Sequence, residues 1–206
     1  MTLPEYLSGG RIQGKTTDTS GDVTTGWAIQ GSRFTPNGTT GVFDFGDENN
    51  TEHTAAYDLG STQGNTWALR CKVYITGDES SDGNLLIGLS DDSTSGGNTV
   101  QDWIGARIHT PANNLFRPHH TMGSGDVTPR AGSDANVSTT ISVNTNYYLE
   151  IKRVSDTSYS YRWTTNSNFS GGSSGSHSIS AGTVTGLRYI KIMNPENCSN
   201  CGAGGF

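Results

Sequence analysis

Trp67-Ala68-Leu69-Arg70-Cys71-Lys72-Val73-Tyr74-Ile75 sets Trp67, Leu69, Cys71, Val73 and Ile75 at every second position, with Arg70 and Lys72 between them. Side chains alternate across an extended strand, so this period of two predicts a strand with one face in a core and the other in water, and it excludes an amphipathic helix. The pattern returns in Leu85-Leu86-Ile87-Gly88-Leu89, in Trp103–Ile108, in Tyr147–Val154, in Tyr159–Trp163 and in Leu187–Met193. Turn-rich stretches separate these runs, which predicts an all-β domain.

Composition supports one large β domain with a thin core. The 206 residues are only 31% hydrophobic and the mean hydropathy is −0.53, values that would suit disorder if the apolar residues were scattered and not gathered into strands. The 28 glycines, with abundant Ser, Thr and Asn, are turn chemistry. Thirteen Lys and Arg against 19 acids give a net charge of −6 with no basic run, so nucleic acid is not an expected partner. No apolar stretch approaches the ~20 residues that span a bilayer, so no membrane insertion is expected. Met1 to Gly10 lack the charged and apolar regions of a signal peptide, yet the Thr/Ser/Asn-rich makeup suits an exported protein on a cell or virion surface.

Residues 1–26 read as a lead-in segment, with Trp27 and Ile29 anchoring a sheet edge, and residues 27–206 read as a single domain. The runs 41–46 and 53–60 read as a hairpin joined by an acidic turn. Residues 110–138 read as a long excursion with a short apolar patch at Leu115-Phe116, and 170–178 as a flexible loop. Tyr147–Val154 and Ser158–Thr164 read as a hairpin turned at Ser155-Asp156-Thr157. Antiparallel sheets need their apolar faces covered, so the expected architecture is a two-sheet antiparallel jelly-roll sandwich.

The cysteines are few. Cys71 falls on the apolar face of its strand, where a free thiol acts as a small hydrophobe. Cys198-Ser199-Asn200-Cys201 reads as a small-loop disulfide, ahead of half a metal site or two free thiols, and with no second such pair a zinc ribbon is excluded. Asn-x-Ser/Thr sequons at Asn37, Asn49, Asn136, Asn168 and Asn197 permit glycosylation of an exported chain.

Tyr57-Asp58-Leu59-Gly60, Trp67–Lys72, Ile87-Gly88-Leu89-Ser90 and Gln101-Asp102-Trp103-Ile104-Gly105 together resemble concanavalin A-like lectin/glucanase domains of the laminin G-like type, as found in archaeal and environmental surface proteins. Tyr147–Arg153 followed by Tyr161-Arg162-Trp163-Thr164 looks like the paired strands that follow the central loop of those domains. The resemblance covers residues 27–194 and implies the jelly roll. It also implies a closing strand of the form Gly-x-Ile-Asp-Asp, whereas this chain ends Cys201-Gly202-Ala203-Gly204-Gly205-Phe206. A piece of a longer protein, an open edge, or an edge filled by another chain would each account for that. The last implies assembly, since an unpaired edge is a template for strand addition.

For glycanases of this fold the resemblance implies Glu-x-Asp-x-x-Glu, which would deliver two carboxylates about 5–5.5 Å apart, and the motif is missing. Glu150 has no second acid within three residues and reads as a solvent-facing residue beside Lys152. The lyase pattern of a strand Arg, Gln-x-His and a Tyr has only a partial echo in Ala106-Arg107-Ile108-His109. The expectation is therefore no enzyme, with a polysaccharide-degrading enzyme as the least favoured alternative.

Sugar binding asks for an aromatic platform and a few polar groups. If Ile104, Ala106 and Ile108 face the core, Trp103, Arg107 and His109 line the opposite surface, and Arg117-Pro118-His119-His120 can reach over it. Arg117 and His119 complete the candidate carbohydrate site, with the alternative that Trp103 is covered. Tyr159, Tyr161 and Trp163 share a face and read as core packing. The clusters Asp44/Asp47/Glu48, Asp78/Glu79/Asp82 and Asp91/Asp92 offer hard oxygen donors for Ca²⁺, with Asp78, Asp82, Asp91 and Asp92 as the candidate ligands and solvated turn acids as the alternative. The expected function is a carbohydrate-binding, lectin-like or adhesion module with a polysaccharide or glycan partner. A structural subunit of a surface filament, surface layer or virion, built from copies of the chain, is the alternative.

Overall fold

Alternating apolar runs of this kind can bury one face only by stacking sheet on sheet, and that is the arrangement found. The computed structural model describes residues 26–31, 34–37, 42–45, 53–75, 83–93, 102–110, 115–121, 139–140, 142, 144–179, 182, 184–194 and 204–205. Among the described residues there are fourteen strands and no helix: β1 (Trp27–Gln30), β2 (Phe34–Asn37), β3 (Val42–Phe45), β4 (His53–Asp58), β5 (Trp67–Ile75), β6 (Gly83–Ser90), β7 (Trp103–Thr110), β8 (Leu115–Thr121), β9 (Thr139–Thr140), β10 (Asn146–Ser155), β11 (Ser158–Thr164), β12 (Ser173–Ser178), β13 (Tyr189–Asn194) and β14 (Gly204–Gly205). They form two seven-stranded sheets, ordered β1-β4-β13-β6-β7-β8-β9 and β12-β11-β10-β5-β14-β3-β2. The paired strands run antiparallel. The two-sheet sandwich expected from the alternation is the observed fold.

Between the sheets lies one main core. Ala55, Ile87, Leu89, Ile104, Ala106, Ile108 and Ile192 of the first sheet face Trp67, Leu69, Val73, Leu149, Ile151, Tyr159, Tyr161 and Trp163 of the second. Leu149 and Ile151 are wholly buried, each contributing about 1.5–3 kcal/mol of transfer free energy. Tyr147 and Trp163 stack with ring centroids 4.6 Å apart. The aromatics of β11 are core residues, as their spacing implies, and Cys71 packs half-buried against the same cluster. Arg70 and Lys72 take the outer face.

Three readings are corrected. The expected hairpin of residues 41–46 and 53–60 does not exist, because β3 pairs β2 and β14 in the second sheet while β4 pairs β1 and β13 in the first. Local spacing favoured a short turn there, and the chain instead crosses between layers. The long excursion contains β8, which pairs along β7 from Leu115 to Thr121. Its Pro118 lies where β9 does not extend, since β9 pairs only Leu115 and Phe116, so the missing N–H faces no described partner strand. Finally, part of the loop 170–178 is β12, paired with β11. A Cβ at Gly175 would stand 2.4 Å from the Tyr161 hydroxyl, so only glycine lets that ring lie across the edge strand.

β1 pairs β4 in the first sheet, where Trp27 packs against the core and Ile29 is exposed, and residues 1–25 of the lead-in segment lie outside the described residues. Gly204 and Gly205 enter the second sheet between β5 and β3. Cys198 and Cys201 lie outside the described residues.

Candidate functional site

The candidate sugar site sits on the outer face of the first sheet, which the ladder lays out in three rows. Asp58, Tyr189, Ser90, Trp103 and Thr121 are successive partners. So are Ala56, Lys191, Gly88, Gly105 and His119, and so are Thr54, Met193, Leu86, Arg107 and Arg117. Ile104, Ala106 and Ile108 do face the core, which leaves Trp103 and Arg107 on the outer side by strand alternation. The ladder therefore sets Arg117 opposite Arg107, His119 opposite Gly105, and His109 opposite Leu115.

Of the two environments open to Trp103, the structure has the covered one. The residue is fully buried and clusters with Leu86 and Met193. Its indole lies across the facing pair Gly88 and Gly105: a Cβ would come within 2.8 Å of Trp103 Cζ2 at Gly88 and 2.5 Å at Gly105. Side-chain-free positions on adjacent strands make the shallow seat that a flat ring needs. Trp103 Nε1 has no hydrogen-bond partner, but neither does Trp67 Nε1 in the main core, so this donor marks a buried ring edge and no ligand in particular. Arg107 is 6% exposed and Lys191 fully buried on the same face. Lys191 went unnoticed in the sequence, although Tyr189, Lys191 and Met193 alternate with Ile190 and Ile192, a signal that places it there.

One end of this sheet is locked by carboxylates. Asp102 Oδ2 accepts from Thr185 N at 2.6 Å and from Thr185 Oγ1 at 3.2 Å, while Asp102 N donates to Asp91 Oδ1 at 2.9 Å. Asp91 N returns a bond to the Asp102 carbonyl at 3.2 Å. These contacts tie the end of β6 and the start of β7 to the segment that leads into β13. Burial pushes the Asp91 carboxyl above its usual range, helped by the like charges of Asp102 and Asp92. Asp91 thus belongs to a backbone lock, and Asp92 N donates to Ser90 Oγ at 3.1 Å beside it. No group of three potential metal-ligating side chains occurs among the described residues. Asp78 and Asp82 lie outside the described residues.

Glu150 is on the second sheet, 17% exposed, where it pairs with Arg70. Far from any partner carboxylate on its strand, it is an ion-pair residue.

No protein-family model and no curated protein sequence matches the chain. Solved structures do resemble it. The exoplasmic/lumenal domain of VIP36, in a Ca²⁺- and Man3GlcNAc-bound form, superposes with a TM-score of 0.60 at 11% identity, over 87% of this chain and 81% of that one. A legume lectin-like domain from Entamoeba histolytica gives 0.56 at 12% identity, over 87% and 86%. The β-glucanase of Bacillus licheniformis gives 0.53 at 8% identity, over 88% and 89%. Lectins and an enzyme share this architecture, so the likeness speaks to fold and leaves the chemistry to the site. With two antiparallel sheets, one core between them and these neighbours, the chain has the concanavalin A-like jelly-roll fold.

Proposed function

We propose that the chain is a non-catalytic, extracellular glycan-binding module whose contact area is the β7–β8 surface of the first sheet. The observation that carries this reading is the ladder, which sets Arg117, His109 and His119 at neighbouring positions on two adjacent strands, around the buried Arg107. Guanidinium and imidazole groups at such spacing donate several hydrogen bonds to sugar hydroxyls or carboxylates. Trp103, sealed on its glycine seat, acts as the floor that fixes β7 against β6 and leaves ring contact to its neighbours.

Support for a non-catalytic module comes from the missing Glu-x-Asp-x-x-Glu motif and from strand alternation. Among the described residues, the outward positions of β13, β6 and β7 hold no carboxylate, whereas glycoside hydrolysis ordinarily takes two. The sugar-bound form of the VIP36 domain and the polysaccharide substrate in the name of the β-glucanase support a glycan partner. A glycan array, run with and without calcium, tests the reading. Binding confined to one glycan class and weakened by Arg117→Ala is expected, and silence across polysaccharide classes overturns it. New reducing ends from glucans, or unsaturated products from alginate, would replace it with an enzyme.

One observation favours assembly as a second reading: β1 lies at a sheet edge and leaves Ala28, Ile29 and Gln30 exposed. Particle size in solution tests it, and a monomer at every concentration removes it.

A further inference from the structure

The outer face of the second sheet concentrates positive charge in a chain of net charge −6. Ladder register sets Arg70 beside Glu150 and Glu150 beside Arg162, across β5, β10 and β11. One row away on the same face, Lys152 lies between Ala68 and Ser160, and Lys72 lies beside Tyr148. Four of the chain's 13 lysines and arginines thus share this face with two carboxylates among the described residues, Glu150 and, through the row Tyr74, Gly205 and Asp44, Asp44 at the far side of β14. Glu150 is spoken for by Arg70. Lys72, Lys152 and Arg162 are all half-buried on the sheet surface and enter no ion pair among the described residues; Arg162 Nη1 makes one long bond, 3.4 Å, to the Gly171 carbonyl.

A second observation is backbone strain beside the patch. Phe169, in the loop from β11 to β12, has φ +59°, a conformation that a bulky L-residue adopts only when its surroundings impose it. Thr164 Oγ1 bonds the Ser170 carbonyl at 2.9 Å and Ser170 N bonds Asn168 Oδ1 at 2.9 Å, which hold the turn. The result drives the buried Phe169 ring under the Arg70 guanidinium, 5.0 Å from centroid to Cζ, with its edge against Tyr148. Strain of this kind fixes one cation in place, and an ordered cation loses less entropy on meeting an anion than a mobile one. Beside Arg162, β12 adds the exposed Ser174, with Ser176 in the next row.

We propose that this face docks an acidic polysaccharide, one that carries carboxylate or sulfate groups. Guanidinium forks pair with such groups in two-point geometry, the serines bond its hydroxyls, and a flat four-strand surface suits an extended chain. The excess of two positive charges on this face, gathered on β5, β10 and β11, complements a polyanion. The inference uses the opposite sheet from the β7–β8 surface and does not rest on sugar binding there.

Native affinity electrophoresis of the full chain in gels that contain polygalacturonate, dextran sulfate or neutral dextran tests it. Retardation by one or both anionic polymers and none by dextran is expected, weakening with added salt. Polygalacturonate alone identifies carboxylate recognition, dextran sulfate alone identifies sulfate, and both identify anionic charge as the feature read. Lys72→Glu/Lys152→Glu/Arg162→Glu is expected to abolish retardation, and Arg162→Gln to weaken it about two- to fivefold. Circular dichroism and cooperative unfolding check that the variants fold, with the triple Gln variant as the milder substitute. Absence of retardation in both anionic gels, or a folded triple variant retarded like the wild type, overturns the proposal. So does self-association that the triple variant loses without any polymer binding, which would assign the face to a second copy. Retardation lost in Arg117→Ala and kept in the triple variant would assign the polymer to the first sheet and also overturns the proposal.

Discussion

Gly105→Ala adds one methyl group to the outer face of the first sheet, and the structure sets its cost. The new Cβ would stand 2.4 Å from the Ile87 carbonyl oxygen and 2.5 Å from Trp103 Cζ2, where 3.0 Å is the practical limit. Neither neighbour yields cheaply: Ile87 is held in the β6–β7 ladder, and Trp103 is fully buried against Leu86 and Met193. Two simultaneous clashes belong at the upper end of the overpacking range, about 3 kcal/mol. Ala also restricts the unfolded chain, which returns about 0.4–1 kcal/mol, so the net loss is about 2 kcal/mol. For a chain of this length that lowers Tm by about 4–8 °C. Gly64→Ala is the control, since nothing lies within 4 Å of its Cβ and the entropic effect alone should raise Tm by about 1–4 °C. Scanning calorimetry on the three proteins reads both signs. Gly105→Ala at or above wild-type Tm would refute the seating of the Trp103 ring on the glycine pair.

Other expectations concern the core and the titrating groups. Ile151→Ala, at a wholly buried site between Leu69 and Tyr161, should cost about 2–5 kcal/mol in urea unfolding, and a loss below 1 kcal/mol would show that the sheets are not packed there. The Asp91 carboxyl has a folded pKa above its ordinary 3.8, so folding takes up protons and stability falls as pH rises from that value through the raised one. Asp91→Asn keeps an acceptor for Asp102 N–H and removes this loss, so the variant should melt above wild type at neutral pH and level with it in acid. Burial pushes the Cys71 thiol up to about 12, so in a Cys198→Ser/Cys201→Ser background Cys71 should resist thiol reagents at mildly alkaline pH until the protein unfolds. Prompt labelling of the native protein would contradict that burial.

Period-two alternation made the fold readable because it reports which side of a strand meets the core, and that depends only on neighbours in sequence. The same alternation set Trp103 and Arg107 opposite Ile104 and Ala106 before any pairing was known. Arg153 went unremarked in the sequence although it shares the parity of Leu149 and Ile151; it is 1% exposed and donates to the Ser155 carbonyl and Asp156 at the hairpin turn. β12 escaped notice because Ser and Gly have weak strand preference, and its pairing comes from the aromatic strand beside it.

Local pattern thus carried the all-β class, the two-faced strands and the side on which each chemical group stands. Partner choice was out of its reach. That β3 and β4 part into different sheets, that Gly88 meets Gly105 beneath an indole, and that Arg70 and Arg162 flank Glu150 across three strands all depend on residues distant in sequence. Strand pairing is chosen by burial summed over the whole sandwich, and no window of a few residues contains that sum.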